Sequence, residues 1–310
     1  MRVLFASSRP LERAENINTV FDAYNGNKFF TRLDPGRTSI DISSGFFDLL
    51  VSDEFPAESP GKVIMITHGI VGGKTYGLDQ PHPYLKPEQA LLLDYVVVAS
   101  DEMIPLVARQ CGISETKVMP LGMPRTDMYF GKTKGCGKTF MSKKRSYLYA
   151  PTFRGKLETP LPEIDWHYLD EMLSDDEVFV VKPHMITGHM LNGEYKHILE
   201  VFSSLPSTPY LIDCDVLITD YSSIMFDAHI LNKPVVLFDK NTDYLQTRGM
   251  YFPYPDGYAS RYCDNERDLI KIIKTAHGQN ELDLKCKKRT CNACDGHSTE
   301  RVISLIRSIS

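Results

Sequence analysis

Short apolar runs recur along the chain, each bounded by polar or turn-forming residues. Val3–Ala6, Leu49–Val51, Val63–Thr67, Tyr95–Ala99 and Lys117–Leu121 lie in the first part. Tyr147–Ala150, Val178–Val181, Val216–Thr219 and Val235–Phe238 lie in the second. Runs of this length without polar alternation predict strands buried on both faces of a parallel sheet. Segments with helical spacing, such as Glu102–Cys111, separate some of them and predict an α/β fold. The pattern stops over Gly131–Arg145, which is rich in Gly and Lys, and then restarts. This predicts two Rossmann-like domains, 1–135 and 136–310, with a terminal helix assigned to the second. In that helix, Val302, Leu305, Ile306 and Ile309 share one face. The face is expected to pack onto one of the sheets, a membrane surface being the alternative.

Composition narrows the class. With 310 residues, 42% hydrophobic and 24% charged, the chain reads as a soluble globular protein of two domains. A net charge of -5 argues against a nucleic-acid binder. Seven cysteines, an odd number, and an N-terminus without a signal-peptide pattern suggest a reducing cytoplasm. The apolar stretch Ala90–Ala99 is too short to cross a bilayer and contains Asp94. Lys132, Lys134, Lys138, Lys143, Lys144 and Arg145 read as a solvated linker, with attraction to anionic lipid or polymer as the alternative. Gly137-Lys138-Thr139 within it is not a phosphate-binding P-loop, because Lys132 stands where that motif needs its first glycine.

Candidate chemistry gathers where strands end. Asp215-Val-Leu-Ile-Thr-Asp-Tyr-Ser-Ser-Ile-Met-Phe-Asp227 places Thr219, Asp220, Ser222 and Ser223 between a strand and a helix. The carboxyl edge of a parallel sheet is where α/β proteins bind ligands, and a helix N-terminus favours phosphate. Plain N-capping by serine is the structural alternative. Thr67-His68-Gly-Ile-Val-Gly-Gly-Lys74 follows another strand, with glycines that permit close backbone approach and a mobile cation. Lys182-Pro183-His184 follows a strand of the second domain. Each domain thus delivers one histidine able to exchange a proton near neutral pH, with Lys182, Arg154 and Arg125 as cations for a pyrophosphate.

Five segments occur in a set order: His68-Gly followed by Lys74, Leu121-Gly-x-Pro-Arg-x-Asp127, Tyr149-Ala-Pro-Thr-Phe-Arg154, Lys182-Pro-His184 and Asp215 to Asp227. Asp243-Tyr244, Arg248-Gly-x-Tyr251 and Asp295-Gly296 with Arg301 continue the order. Over roughly residues 48–307 the chain resembles the CDP-glycerol:poly(glycerophosphate) glycerophosphotransferase family of teichoic acid primases and polymerases. The resemblance implies a GT-B-like fold, two Rossmann-like domains facing across a cleft. It implies transfer of a polyol phosphate, glycerol phosphate first, from a CDP-activated donor to a hydroxyl of a lipid-linked or polymer acceptor, with release of CMP. It makes His68 and His184 the catalytic pair. His68 is assigned as base and His184 as stabiliser of phosphoryl or leaving-group charge, and the exchanged assignment stays open. Substrate binding falls to Lys74, Arg125, Thr152, Arg154, Lys182, Thr219, Asp220, Ser222, Ser223, Asp227 and Arg248.

The family commonly carries Trp-His-Gly-Thr-Pro-x-Lys. Thr67 precedes the histidine here, and the loop to Lys74 is one residue longer, so a differently shaped acceptor side is expected. The CDP-polyol counts as a substrate and not a cofactor, and no metal site is assigned. Cys286, Cys291, Cys294 and His297 are spaced loosely like zinc ligands but read as surface thiols. The expected location is cytoplasmic, with peripheral contact at the inner face of the membrane. Two other functions compete: a GT-B glycosyltransferase or epimerase using a nucleotide sugar, and a silent scaffold of a polymer-assembly complex. The Ser222-Ser223 pair, where nucleotide-sugar enzymes often place Gly-Gly, and the presence of both histidines favour phosphotransfer.

Overall fold

The computed structural model describes residues 1–7, 9, 14–32, 46–56, 58–59, 61–67, 69–72, 87–131, 145–152, 162–184, 187–240, 245 and 249–309. His68, Lys74, Arg154, Arg248, Asp243, Tyr244 and the lysine-rich segment 132–144 lie outside them. The chain divides into two compact units, residues 1–132 with 288–310, and residues 133–287.

The first unit is built on strands β1 (Arg2–Ser7), β2 (Asn27–Arg32), β3 (Leu49–Ser52), β4 (Lys62–Ile66), β5 (Tyr95–Val97) and β6 (Val118–Met119). They form one sheet in the order β2-β1-β3-β4-β5-β6, and every neighbouring pair is parallel. Leu49, Leu50, Val51, Val63, Ile64 and Ile66 have no solvent-exposed surface, as expected of strands covered on both faces. The expected strand Lys117–Leu121 shrinks to Val118–Met119 because Pro120 has no amide to donate and Gly122 turns at φ 80°. The predicted helix Glu102–Cys111 opens as a tight 3-10 turn, Asp101–Met103, capped by the Ser100 side chain. It continues as the α-helix Ile104–Cys111 and stops at Gly112, which has φ 66°.

The second unit repeats the plan with β7 (Arg145–Tyr149), β8 (Glu177–Val181), β9 (Ile198–Glu200), β10 (Val216–Thr219), β11 (Val235–Phe238) and β12 (Arg261–Cys263). The order is β12-β11-β10-β7-β8-β9, again parallel throughout. One side of its core collects Tyr147, Tyr149, Trp166, Phe179 and Phe238, packed as tilted or edge-on ring pairs. The chain runs outward from β7 in one direction and then in the other, so the order reverses between β7 and β10. At such a switch point the flanking loops part and leave a crevice.

The terminal helix, Ser298–Ser308, departs from expectation in its assignment, since it belongs with the first unit. Val302, Leu305 and Ile306 are buried, and Ile309 is half-buried. The helix packs against helix Glu15–Ala23 and the 3-10 turn Pro124–Phe130. Polar contacts hold it there: both carboxylate oxygens of Asp127 accept from its first turn, from Ser298 N at 3.0 Å and Thr299 N at 2.7 Å. A free helix N-terminus next to a carboxylate is stabilising through both its amides and its dipole.

Candidate active site

The carboxyl edge of the second sheet at its switch point is made by two loops, the one after β7 and the one after β10. Within the strands, Ala150 N donates to Ile218 O at 2.9 Å. One residue further, the Thr219 hydroxyl donates back to Ala150 O at 2.6 Å. Asp220 then closes the edge. Its Oδ1 accepts from Thr152 N at 2.7 Å and from Tyr221 N at 2.6 Å, and the residue is 1% exposed. A buried carboxylate held by backbone amides is a charge-assisted clamp, and here it ties both loops together. Tyr221 points inward, its hydroxyl donating to Asp239 after β11. Thr219 and Asp220, expected as substrate contacts, are buried and hydrogen-bonded within this frame, and Thr152 meets it through its amide.

Ser222 and Ser223 follow this clamp and are half-buried. Ser223 occupies the N-cap position of helix Ile224–Ile230, yet its side chain makes no capping hydrogen bond. The structural alternative, simple N-capping, is thus not how this serine is used. Asp227, four residues on, is buried in the helix. At the other end of the motif, Asp215 accepts from Ser146 N at 2.7 Å and from Ser146 Oγ at 3.0 Å, pinning the start of β10 to β7.

Lys182 and His184 stand just beyond β8, the neighbour of β7. His184 is exposed. Lys182 is 4% exposed, and its Nζ donates to Pro183 O at 2.8 Å and to Ser203 O at 3.1 Å. Burial lowers the pKa of this ammonium. The expected pyrophosphate cation is directed at backbone carbonyls.

In the first unit, Arg125 is 8% exposed and its guanidinium lies 3.9 Å from Glu15. Its backbone N–H donates to Asn16 Oδ1 at 2.9 Å. The Leu121–Asp127 motif also makes structural contacts. Arg301 Nε donates to Leu121 O at 2.8 Å, and its guanidinium pairs with Asp295 at 2.8 Å. A side chain on Gly122 would come within 2.3 Å of Ala293 O. Asp127 caps the terminal helix. The Asp295-Gly296 and Arg301 elements of the family pattern thus meet Leu121–Asp127 in one docking joint.

Two polar groups of the first unit escaped sequence reasoning. Asn16, in a helix opening without any motif, also donates from Nδ2 to Thr67 O at 2.9 Å. Asp53, just past β3, is 3% exposed and accepts from Ser7 Oγ at 3.0 Å, while its Oδ1 has no hydrogen-bond partner among the described residues. Burial pushes the Asp53 carboxyl up to about 6.

Cys286, Cys291 and Cys294 are buried, which corrects the reading of them as surface thiols, and His297 is exposed beside Glu300. Among the described residues no group of three His, Cys, Asp or Glu side chains is placed to hold a metal ion.

The model of the CDP-Glycerol:Poly(glycerophosphate) glycerophosphotransferase family matches residues 39–308. Among curated proteins, the chain is 28% identical over 286 residues to a teichoic acid poly(ribitol-phosphate) polymerase of Bacillus spizizenii, covering 83% of this chain and 46% of that protein. It is 29% identical over 225 residues to a teichoic acid glycerol-phosphate primase of Bacillus subtilis, covering 70% and 58%. The chain therefore spans about half the length of the curated relatives it matches. Among solved structures, the wall teichoic acid polymerase TagF superposes with a TM-score of 0.78 at 19% identity, covering 99% of this chain and 88% of that one. A UDP-N-acetylglucosamine 2-epimerase from Listeria monocytogenes follows at 0.63 and 12% identity, covering 99% and 96%. These likenesses establish the GT-B-like α/β fold. With a match across most of its length, the chain belongs to the CDP-glycerol:poly(glycerophosphate) glycerophosphotransferase family.

Proposed function

We propose that this protein transfers a polyol phosphate, glycerol phosphate or ribitol phosphate, from a CDP-activated donor to an acceptor hydroxyl. The observation that carries the reading is the switch-point edge of the second sheet, where Asp220 locks two loops and the Ser223 hydroxyl makes no capping bond. A serine hydroxyl that makes no capping bond beside a helix start suits the oxygens of a pyrophosphate. Family membership supports a CDP-polyol as the carrier of that pyrophosphate. Names of the relatives divide between ribitol-phosphate and glycerol-phosphate enzymes.

In this mechanism an acceptor oxygen attacks the β-phosphorus of the donor. The bond from that phosphorus to the oxygen bridging it to the α-phosphorus breaks, and CMP leaves with the electron pair. The hydroxyl proton passes to His68, and His184 stabilises charge on the transferring group or the departing CMP. His68, Lys74, Arg154 and Arg248 enter through their motifs. Ser222 and Ser223 bind the pyrophosphate, framed by Thr152, Thr219 and Asp220. The acceptor is a lipid-linked glycan or a polyol-phosphate chain, met at the cytoplasmic face of the membrane. No helix among the described residues is long and apolar enough to cross that membrane.

A thermal-shift screen of nucleotides tests the donor class. CDP-glycerol or CDP-ribitol is expected to raise the melting temperature more than UDP-sugars at equal concentration. Stronger stabilisation by UDP-sugars than by any CDP-polyol would overturn the reading in favour of nucleotide-sugar chemistry.

A further inference from the structure

The peptides immediately before the two histidines are treated alike. Thr67, whose carbonyl precedes His68 in the chain, accepts from Asn16 Nδ2 at 2.9 Å. Pro183, whose carbonyl precedes His184, accepts from Lys182 Nζ at 2.8 Å. Both donors are buried, Asn16 at 2% and Lys182 at 4% exposure. Each also reaches a second segment. Asn16 Oδ1 takes the Arg125 amide, and Lys182 Nζ takes Ser203 O. Each of these carbonyls is held by a buried side chain that is itself anchored to a second segment, which restrains the peptide leading to the next residue. Asn16 is suited to its place because one short side chain offers a donor and an acceptor together. It also lies before residue 39, where the family match begins.

We propose that Asn16 and Lys182 are positioning residues, each holding the peptide that carries one histidine, and that Lys182 does not bind the donor pyrophosphate. The proposal rests on the phosphotransfer reading. Both clamps act within their own units, the first on the His68 loop and the second on the His184 loop. Burial is consistent with this division. An ammonium turned onto two carbonyls and shielded from solvent is poorly placed to accompany a ligand, whereas a displaced catalytic group slows chemistry steeply with distance.

The test uses Asn16→Asp, Asn16→Leu and Lys182→Met in the full chain. CMP release from CDP-glycerol or CDP-ribitol is measured with a lipid-linked polyol-phosphate acceptor, alongside the Kd of the same CDP-polyol by calorimetry. Turnover is expected to fall by about tenfold to a hundredfold in all three, with the donor Kd within about twofold of the parent. Asn16→Asp keeps the acceptor for Arg125 and loses the donor for Thr67, so it is expected to fall as far as Asn16→Leu. Amide hydrogen exchange provides a measurement that does not depend on activity. Exchange at Gly69–Gly72 should rise in both Asn16 variants and at Arg125 in Asn16→Leu alone, and exchange around Thr187 should rise in Lys182→Met, while β4 and β8 stay protected. Unchanged turnover overturns the proposal. A Kd for the donor weakened in proportion to turnover in Lys182→Met makes that lysine a pyrophosphate ligand and overturns its half. Loss of protection across β4 or β8 reduces either residue to a general stabiliser. If the parent protein itself binds a CDP-polyol but releases no CMP with any acceptor, the phosphotransfer reading fails first, and the exchange data still report on the clamps.

Discussion

Asp220 shows how one side chain can serve both fold and site. Its Oδ1 is the acceptor for the amides of Thr152 and Tyr221, which belong to different loops of the switch point. Asp220→Ala removes the acceptor that both amides use, and each buried amide left without one costs about 1–3 kcal/mol. The variant is expected to melt lower and to bind CDP-glycerol more weakly, whereas Asp220→Asn, which keeps an oxygen, should retain the fold. Melting curves with and without CDP-glycerol check both. Asp53 makes the opposite trade. Its folded pKa of about 6 lies above the ordinary 3.8, so the native state binds the extra proton between those values. Stability linked to this group is complete below about pH 4 and is lost as pH rises through 6. Asp53→Asn removes the buried charge and is expected to gain about 3 kcal/mol on the parent at pH 8 and little at pH 4. Urea unfolding at the two pH values measures it, and an equal gain at both would contradict the assignment.

At the scale of elements, the terminal helix is the informative case. Its apolar face was legible from Val302, Leu305 and Ile306, but its partner was not, because periodicity reports a buried face and not what covers it. The cover depends on Asp127 capping the helix, on Arg301 holding the Leu121 carbonyl, and on Gly122 at φ 80° leaving room for Ala293 and Ser298. Gly122→Ala puts a methyl group into backbone and demands a left-handed conformation of alanine. A loss of about 2–4 kcal/mol is expected by denaturant unfolding. Asp127→Ala should cost about 1–2 kcal/mol through the lost cap. Exchange protection in the helix Ser298–Ser308 should fall in both before the strands respond.

The same scale explains what the sequence reading missed. Central strands such as Leu49–Ser52 and Val216–Thr219 are wholly buried and stood out as apolar runs. The strands not anticipated, Asn27–Arg32, Ile198–Glu200 and Arg261–Cys263, all lie at sheet edges. Edge strands are short and carry polar or charged residues, so the pattern that marks a buried strand is absent from them.

For the whole molecule, two six-stranded sheets of parallel strands place Leu121–Asp127, Lys182–His184 and Asp220–Ser223 beyond the carboxyl ends of their strands, where the apolar-run pattern predicted chemistry. Which polar groups frame the edge and which are offered to a ligand depends on three-dimensional partners. Thr219, Asp220 and Lys182 looked alike as edge residues, and their hydrogen bonds separate them from Ser222 and Ser223. Asn16 could not be read at all, since its role arises from carbonyls and amides more than fifty residues away.

The most direct measurement is CMP release from CDP-glycerol and CDP-ribitol by the parent protein and by His184→Ala, side by side, with a lipid-linked acceptor present. The account predicts CMP from the parent with at least one donor, and turnover lower by about two orders of magnitude or more in the variant with its circular dichroism unchanged. CMP release by the variant at the parent's rate, or none by the parent from either donor, would contradict it.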